Sequence, residues 1–357
     1  MKRIETILFI LGCVLFLALM WNLGVGELWR QWTSLGWGIV PFIVAEGVSE
    51  LIHTVAWRHC LSKNLRSVPL FYLFRVRLSG YAINYFTPTA AMGGELTKVS
   101  LLTAKGEMTE AASGVLIGKV CFAGAHILFV ALGTVVIART VHLSALVWVP
   151  LLLSGLLVAS GILIFLLLQK YGKIGGFVRR LAAKNVGGQS LKRAAAILTS
   201  VDGELAAFYR DRPGDVLRAL GWHLAGYSVG IVPTWIFVQS LQSDASLSIA
   251  ATIWFLGMCF DLLTFAVPLN AGSLEGSRVL LMNFLGYPAG AGMTYGIALR
   301  LGQMFWAAAG LGARATLTES QPAGGAPRQI GSPSWPPGAG EADTITAGPK
   351  RANEGNL

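Results

Sequence analysis

What most limits the fold of this chain is its series of long, predominantly apolar runs, several of them about 20 residues. A bilayer offers no partners to backbone N–H and C=O groups, so a run of this kind crosses it as a helix with its own hydrogen bonds satisfied. Eight such helices are predicted, at about residues 7–23, 35–57, 70–86, 111–138, 146–168, 216–241, 247–267 and 289–311. Charge is scarce to match: 13% of residues are charged, against about 25% in an ordinary soluble domain. The expected fold class is all-α, a polytopic membrane helix bundle.

The basic residues orient it. Lys2 and Arg3 precede the first run, and Lys170, Lys173, Arg179, Arg180, Lys184, Lys192 and Arg193 follow the fifth without an intervening acid. Loops rich in Lys and Arg stay on the cytoplasmic side. The reading is therefore a multi-pass protein of the cell (inner or plasma) membrane with a cytoplasmic N-terminus and a basic cytoplasmic loop over residues 169–213. Within that loop, residues 196–212 read as a short amphipathic interfacial helix. The net charge of +10 is accounted for by these loops. No nucleic-acid-binding motif accompanies it, so anionic lipid is the expected partner and nucleic acid is not.

One stretch occurs twice. Residues 88–101 and 268–281 share, without gaps, Pro88/Pro268, Ala91/Ala271, Glu95/Glu275, Lys98/Arg278, Val99/Val279 and Leu101/Leu281. Each copy follows an apolar run and sets a helix breaker, small residues, an acid and a base where a span would otherwise continue. Paired interruptions in the two halves of a membrane chain point to a transporter-type site at mid-bilayer; the plainer reading is two interhelical turns with capping pairs. Counting crossings from a cytoplasmic start, the copies follow segments of opposite direction, which fits an inverted repeat with two broken or re-entrant elements added to the eight spans. The halves would be about residues 1–140 and 144–313, with residues 314–357, rich in Pro, Gly, Ser and Thr, a disordered tail.

Within each copy the acid and the base three residues later share a helical face. Glu95, Lys98, Glu275 and Arg278 are therefore the leading cavity residues, with Asn84, Pro88, Gly93, Gly94, Pro268, Asn270, Gly272 and Arg300 around them. Glu46, Glu50 and His53 lie on one face of the second predicted helix, and Lys119 and Asp261 fall inside later ones. Charges at such depth face the bundle interior, and Lys119 is a candidate partner for a carboxylate of the second helix. Cys13, Cys60, Cys121 and Cys259 are spread singly, without metal-ligand spacing. With no nucleophile elbow or phosphate-binding loop either, no cofactor, metal or catalytic residue is expected.

At these residues the sequence resembles the transmembrane region of lysylphosphatidylglycerol synthases and the stand-alone flippase-like proteins related to it. The likeness is carried by Asn84, Pro88, Gly93-Gly94-Glu95 and Lys98 (usually Arg in the family), by Pro268, Gly272, Glu275-Gly276 and Gly286, and by Arg300, Gln303, Trp306 and Gly310-Leu311. It spans about residues 5–313. The resemblance implies a polytopic bundle with re-entrant elements that moves or holds lipids with polar or charged heads. Members that make aminoacyl-lipid carry an additional soluble transferase domain, where this chain has its low-complexity tail. The expected function is lipid transport through a central polar cavity; the alternative is a membrane-embedded lipid-modifying transferase, or the lipid-handling partner of a separate enzyme.

Overall fold

The computed structural model describes residues 36–86, 92–140, 204–264 and 272–319, together with Asn270 and a few isolated positions. The first predicted helix, nearly all of the fifth, most of the basic loop, Pro88, Pro268 and the predicted tail beyond Glu319 lie outside the described residues. Among the described residues every regular element is helical. Besides a 3-10 turn at Gly36–Ile39 and a single helical turn at Lys63–Arg66, the main helices are α1 (Val40–Cys60), α2 (Leu70–Phe86), α3 (Met92–Thr103), α4 (Met108–Thr140), α5 (Pro213–Ser228), α6 (Ile231–Leu241), α7 (Leu247–Leu263), α8 (Ser273–Phe284) and α9 (Ala289–Glu319). Among the described residues, three stretches are long and apolar enough to cross a membrane: Gly36–Cys60, Met108–Thr134 and Pro213–Leu241. This is an all-helical membrane protein.

Local chemistry sets the breaks. Prolines sit in the first turns of α1 and α5, where the missing N–H costs nothing. Ser246 caps α7, its hydroxyl accepting from the Ile249 N–H at 3.3 Å. Before α8 the chain passes through two left-handed residues, Asn270 (φ 48°) and Gly272 (φ 68°), which turn it back sharply. The end of α8 is sealed by the paired bonds Gly286 N–H to Asn283 C=O (3.0 Å) and Tyr287 N–H to Met282 C=O (2.9 Å). Two predicted bounds move. The predicted helix at 216–241 is divided into α5 and α6 around Val229 and Gly230, and α9 continues past 311 into residues assigned to the tail.

The helices pair reciprocally. α2 packs on α9 and α7 on α4; α1 packs on α9 and α5 on α4; α1 and α5 pack on each other. The triplet α2, α3, α4 has lengths of 17, 12 and 33 residues, and α7, α8, α9 has 17, 12 and 31. Contacts give their directions. Glu46 and Glu50 of α1 meet Tyr81 and Arg77, so α2 runs against α1. α3 folds back along α2, with Gly94 beside Asn84 and Lys98 beside Gly80. α4 and α5 both oppose α1, through Trp57–Gly114 and His53–Phe122 in one case and Ser49–Gly226 and His53–His223 in the other. α7 opposes α4, and α9 opposes both α8 and α2.

Apolar side chains gather in two clusters toward opposite ends of the bundle. One holds Trp57, Leu61, Leu73, Leu102, Ile117 and Leu205; the other holds Phe42, Phe129, Phe237, Ile253, Met282 and Tyr295. The buried polar residues Glu50, His53 and His223 fall between them in sequence along α1 and α5. Close backbone approach holds α9 to α2: a Cβ on Gly310 would strike the Leu78 carbonyl, whereas one on Gly312 would meet nothing. Gly310→Val is therefore expected to cost about 1–3 kcal/mol as an overpacking substitution. Unfolding midpoints in detergent check this, with Gly312→Ala close to wild type.

Candidate functional site

The first copy of the repeated stretch opens α3. Gly94 lies against the Gly80 carbonyl and Asn84, a gap that leaves no room for a side chain. Its N–H, one of the unbonded donors of a helix start, donates to Asn84 Oδ1 at 2.7 Å. One turn on, Glu95 and Lys98 form an ion pair on the shared face predicted for them. Lys119 Nζ of α4 also reaches Glu95, at 3.2 Å from Oε1. Lys98 lies 5.6 Å from the centre of the Trp57 ring, a cation–π contact. Two lysines thus share one carboxylate and leave a surplus positive charge. The Lys119 side chain is 40% exposed and that of Glu95 19%, so the cluster is partly open.

The second copy opens α8 and is packed differently. Glu275 and Arg278, three residues apart on α8, do not pair with each other. Glu275 binds Arg300 of α9 through both carboxylate oxygens, and Arg300 Nη2 also donates to the Asn270 carbonyl at 2.9 Å. Arg278 turns to α7, where it is bidentate to Asp261 at 3.0 and 2.8 Å and donates to the Gly257 carbonyl at 3.1 Å. The charges balance, two acids against two bases. Glu275 and Arg278 are enclosed at 0% and 1% exposed, while the side chains of their partners Arg300 and Asp261 are 18% and 23% exposed.

The correspondence goes deeper than the repeated stretch. In each copy the acid is met by a base from the long helix that follows, Lys119 for Glu95 and Arg300 for Glu275. In each, the base of the short helix lies over a glycine of the preceding helix, Lys98 over Gly80 and Arg278 over Gly257. One turn beyond that glycine stands a polar residue, Asn84 or Asp261.

The polar face of α1 divides among three partners. Glu50 binds Arg77 Nε at 2.8 Å, Glu46 accepts from the Tyr81 hydroxyl at 3.2 Å, and His53 meets His223. Lys119 therefore does not answer a carboxylate of α1: Arg77 takes that place, and Lys119 goes to Glu95. The main residues that sequence reasoning missed are Arg77, Tyr81 and Tyr85 of α2. With Asn84, which was expected, they follow i, i+4, i+7, i+8 spacing and so line one helical face. That stripe reaches the first cluster through Asn84 and the second through Tyr85, which hydrogen-bonds Arg300. Its signal in the sequence was the polar residues at helical spacing in an otherwise apolar run.

No three His, Cys, Asp or Glu among the described residues are grouped to hold a metal ion. The sequence matches the family described as the lysylphosphatidylglycerol synthase TM region, over residues 6–312. The chain belongs to that family. No curated protein and no solved structure matches it. The matched range takes in α1 to α8 and most of α9, so both ion-pair clusters lie within the lysylphosphatidylglycerol synthase TM region.

Proposed function

We propose that this member of the lysylphosphatidylglycerol synthase TM family moves phospholipid-type amphiphiles across the cell membrane, taking an anionic headgroup at Glu95, Lys98 and Lys119. The observation that carries this is the contrast between the clusters. The first has one positive charge to spare and, in Lys119, the most exposed side chain of either cluster; the second is neutral, with Glu275 and Arg278 enclosed. A phosphate diester headgroup supplies the missing negative charge, with charge-assisted bonds to the two ammonium groups.

The two triplets are an inverted repeat in this reading. α1, α2, α3 and α4 run opposite to α5, α7, α8 and α9, and the two triplets match in length, with a base from the long helix on the acid of the short one in each. The α2 stripe joins the clusters into a single chamber, with Arg300, Asp261, Asn270 and Gly272 supporting its second side. Opposed repeats around a mid-bilayer site are the architecture of alternating-access carriers. The N-terminus is cytoplasmic in this scheme, and a separate enzyme that modifies lipid is a compatible partner.

The test is leaflet exchange. Full-length protein in vesicles of zwitterionic lipid, with trace fluorescent phosphatidylglycerol, is expected to expose the label to an external quencher faster than empty vesicles do. An unchanged rate would sink the transport reading. New lipid species in extracts of expressing cells, lost on Glu95→Gln, would favour the transferase instead.

A further inference from the structure

Between α1 and α5 lie two imidazoles that neither ion-pair cluster uses. His53 and His223 face each other Nδ1 to Nδ1 at 2.9 Å, and the two residues are 3% and 0% exposed. Only one hydrogen fits between two ring nitrogens at that distance. One imidazole therefore donates from Nδ1, and the other accepts there and carries its hydrogen on Nε2. His223 Nε2 is enclosed without a hydrogen-bond partner. Buried polar atoms are almost always satisfied, so such an exception calls for a cause. Ionisable groups inside membrane spans, moreover, mark ion and proton paths by default.

The surroundings connect this pair to the first cluster. Phe122 of α4, one turn beyond Lys119, contacts both imidazoles, with ring centres 5.0 Å from His53 and 5.4 Å from His223. The Arg77 guanidinium, ion-paired to Glu50, is 5.3 Å from the centre of the same Phe122 ring. The other groups facing the pair are Tyr227 of α5, with its ring 4.8 Å from His53, His126 of α4, which stacks on Tyr227, and the charge of Lys98 on α3. Glu50 is the nearby acid, and Arg77 already neutralises it.

We propose that the His53–His223 pair is a proton-binding site that couples a proton gradient to headgroup movement. The neutral pair takes up one proton at the Nε2 left free on the donating imidazole, and the imidazolium so formed keeps its Nδ1–H···Nδ1 bond across the α1–α5 contact. A second proton would set two donors face to face, so the capacity is one. The added charge raises the positive potential around Lys98 and Arg77 and so favours an anionic headgroup in the neighbouring cluster. By linkage, a bound headgroup favours the proton to the same degree. The coupled cargo rests on the transport reading above; proton uptake by the pair does not.

The test has two arms on the full-length protein. In vesicles, exchange of fluorescent phosphatidylglycerol is expected to rise by about 5-fold or more, the low end of ordinary site coupling, as pH falls through the histidine range. His223→Gln keeps a polar side chain but cannot take the proton, and is expected to flatten that profile. If it fails to fold, His53→Asn carries the same test. In nanodiscs, nitrogen NMR of labelled histidine is expected to show one proton taken up by the pair and lost in the variant. A folded His223→Gln protein with the wild-type pH profile, or a pair that stays neutral throughout the range, would overturn the proposal. Should wild type move no lipid at any pH, the transport reading falls and the NMR arm alone decides: uptake of one proton upholds the site, and its absence removes it.

Discussion

Glu275→Ala is expected to destabilise the protein by about 3–5 kcal/mol, the range for stripping one partner from a buried ion pair. Glu275 is wholly enclosed and both of its oxygens hold Arg300, whose side chain is only 18% exposed. Removing the carboxylate strands a guanidinium in a low-dielectric interior, where the uncharged Asn270 carbonyl and Tyr85 hydroxyl do not neutralise it. Glu275→Met together with Arg300→Met removes both charges and is expected to recover most of the loss, because the desolvation penalty disappears with them. Unfolding in detergent reads both variants. A single variant as stable as wild type would mean that the pair contributes nothing to the fold. Exchange measured on the double variant then separates roles: stable but inactive protein assigns the pair to transport as well.

Lys119→Met is expected to slow exchange of anionic lipid by about 10- to 100-fold. The figure follows from a charge-assisted bond worth about 1.5–3 kcal/mol, at about 1.4 kcal/mol per tenfold. Lys119 is the more accessible of the two lysines on Glu95, so it is the one with a donor to spare for a headgroup. Lys119→Arg keeps the charge and is expected to retain most of the rate. Zwitterionic lipid, which carries its own cation, is expected to slow less. Equal loss for both lipid types, with normal folding, would mean that Lys119 supports the helix rather than the headgroup.

The helical class and most helix positions were legible in the sequence because long apolar runs allow few alternatives in a bilayer. The repeated stretch was legible too, since a proline, small residues and a spaced acid and base stand out against apolar surroundings. Partner choice was not. Spacing put Glu95 with Lys98 and Glu275 with Arg278 on shared helical faces, yet only the first two pair with each other. At the second two the third dimension intervened: Asp261 and Arg300 approach from α7 and α9 and offer each group a bidentate partner. The same holds for Lys119, whose neighbour could be found only once α3 was folded back against α4. His223 was visible as a histidine in an apolar helix, but nothing local placed it opposite His53, 170 positions away.

The reach of α9 to Glu319 bears on how the protein can be shortened. A chain cut at residue 311, where apolar periodicity fades, would lose Leu317, which is buried in one of the two apolar clusters. It would also lose Thr316, which accepts from Arg75, and Arg314, which reaches Thr97 on α3. These last two turns look dispensable by hydropathy, yet they brace the broken element that carries Glu95, so any trimmed or tagged version should keep the helix whole.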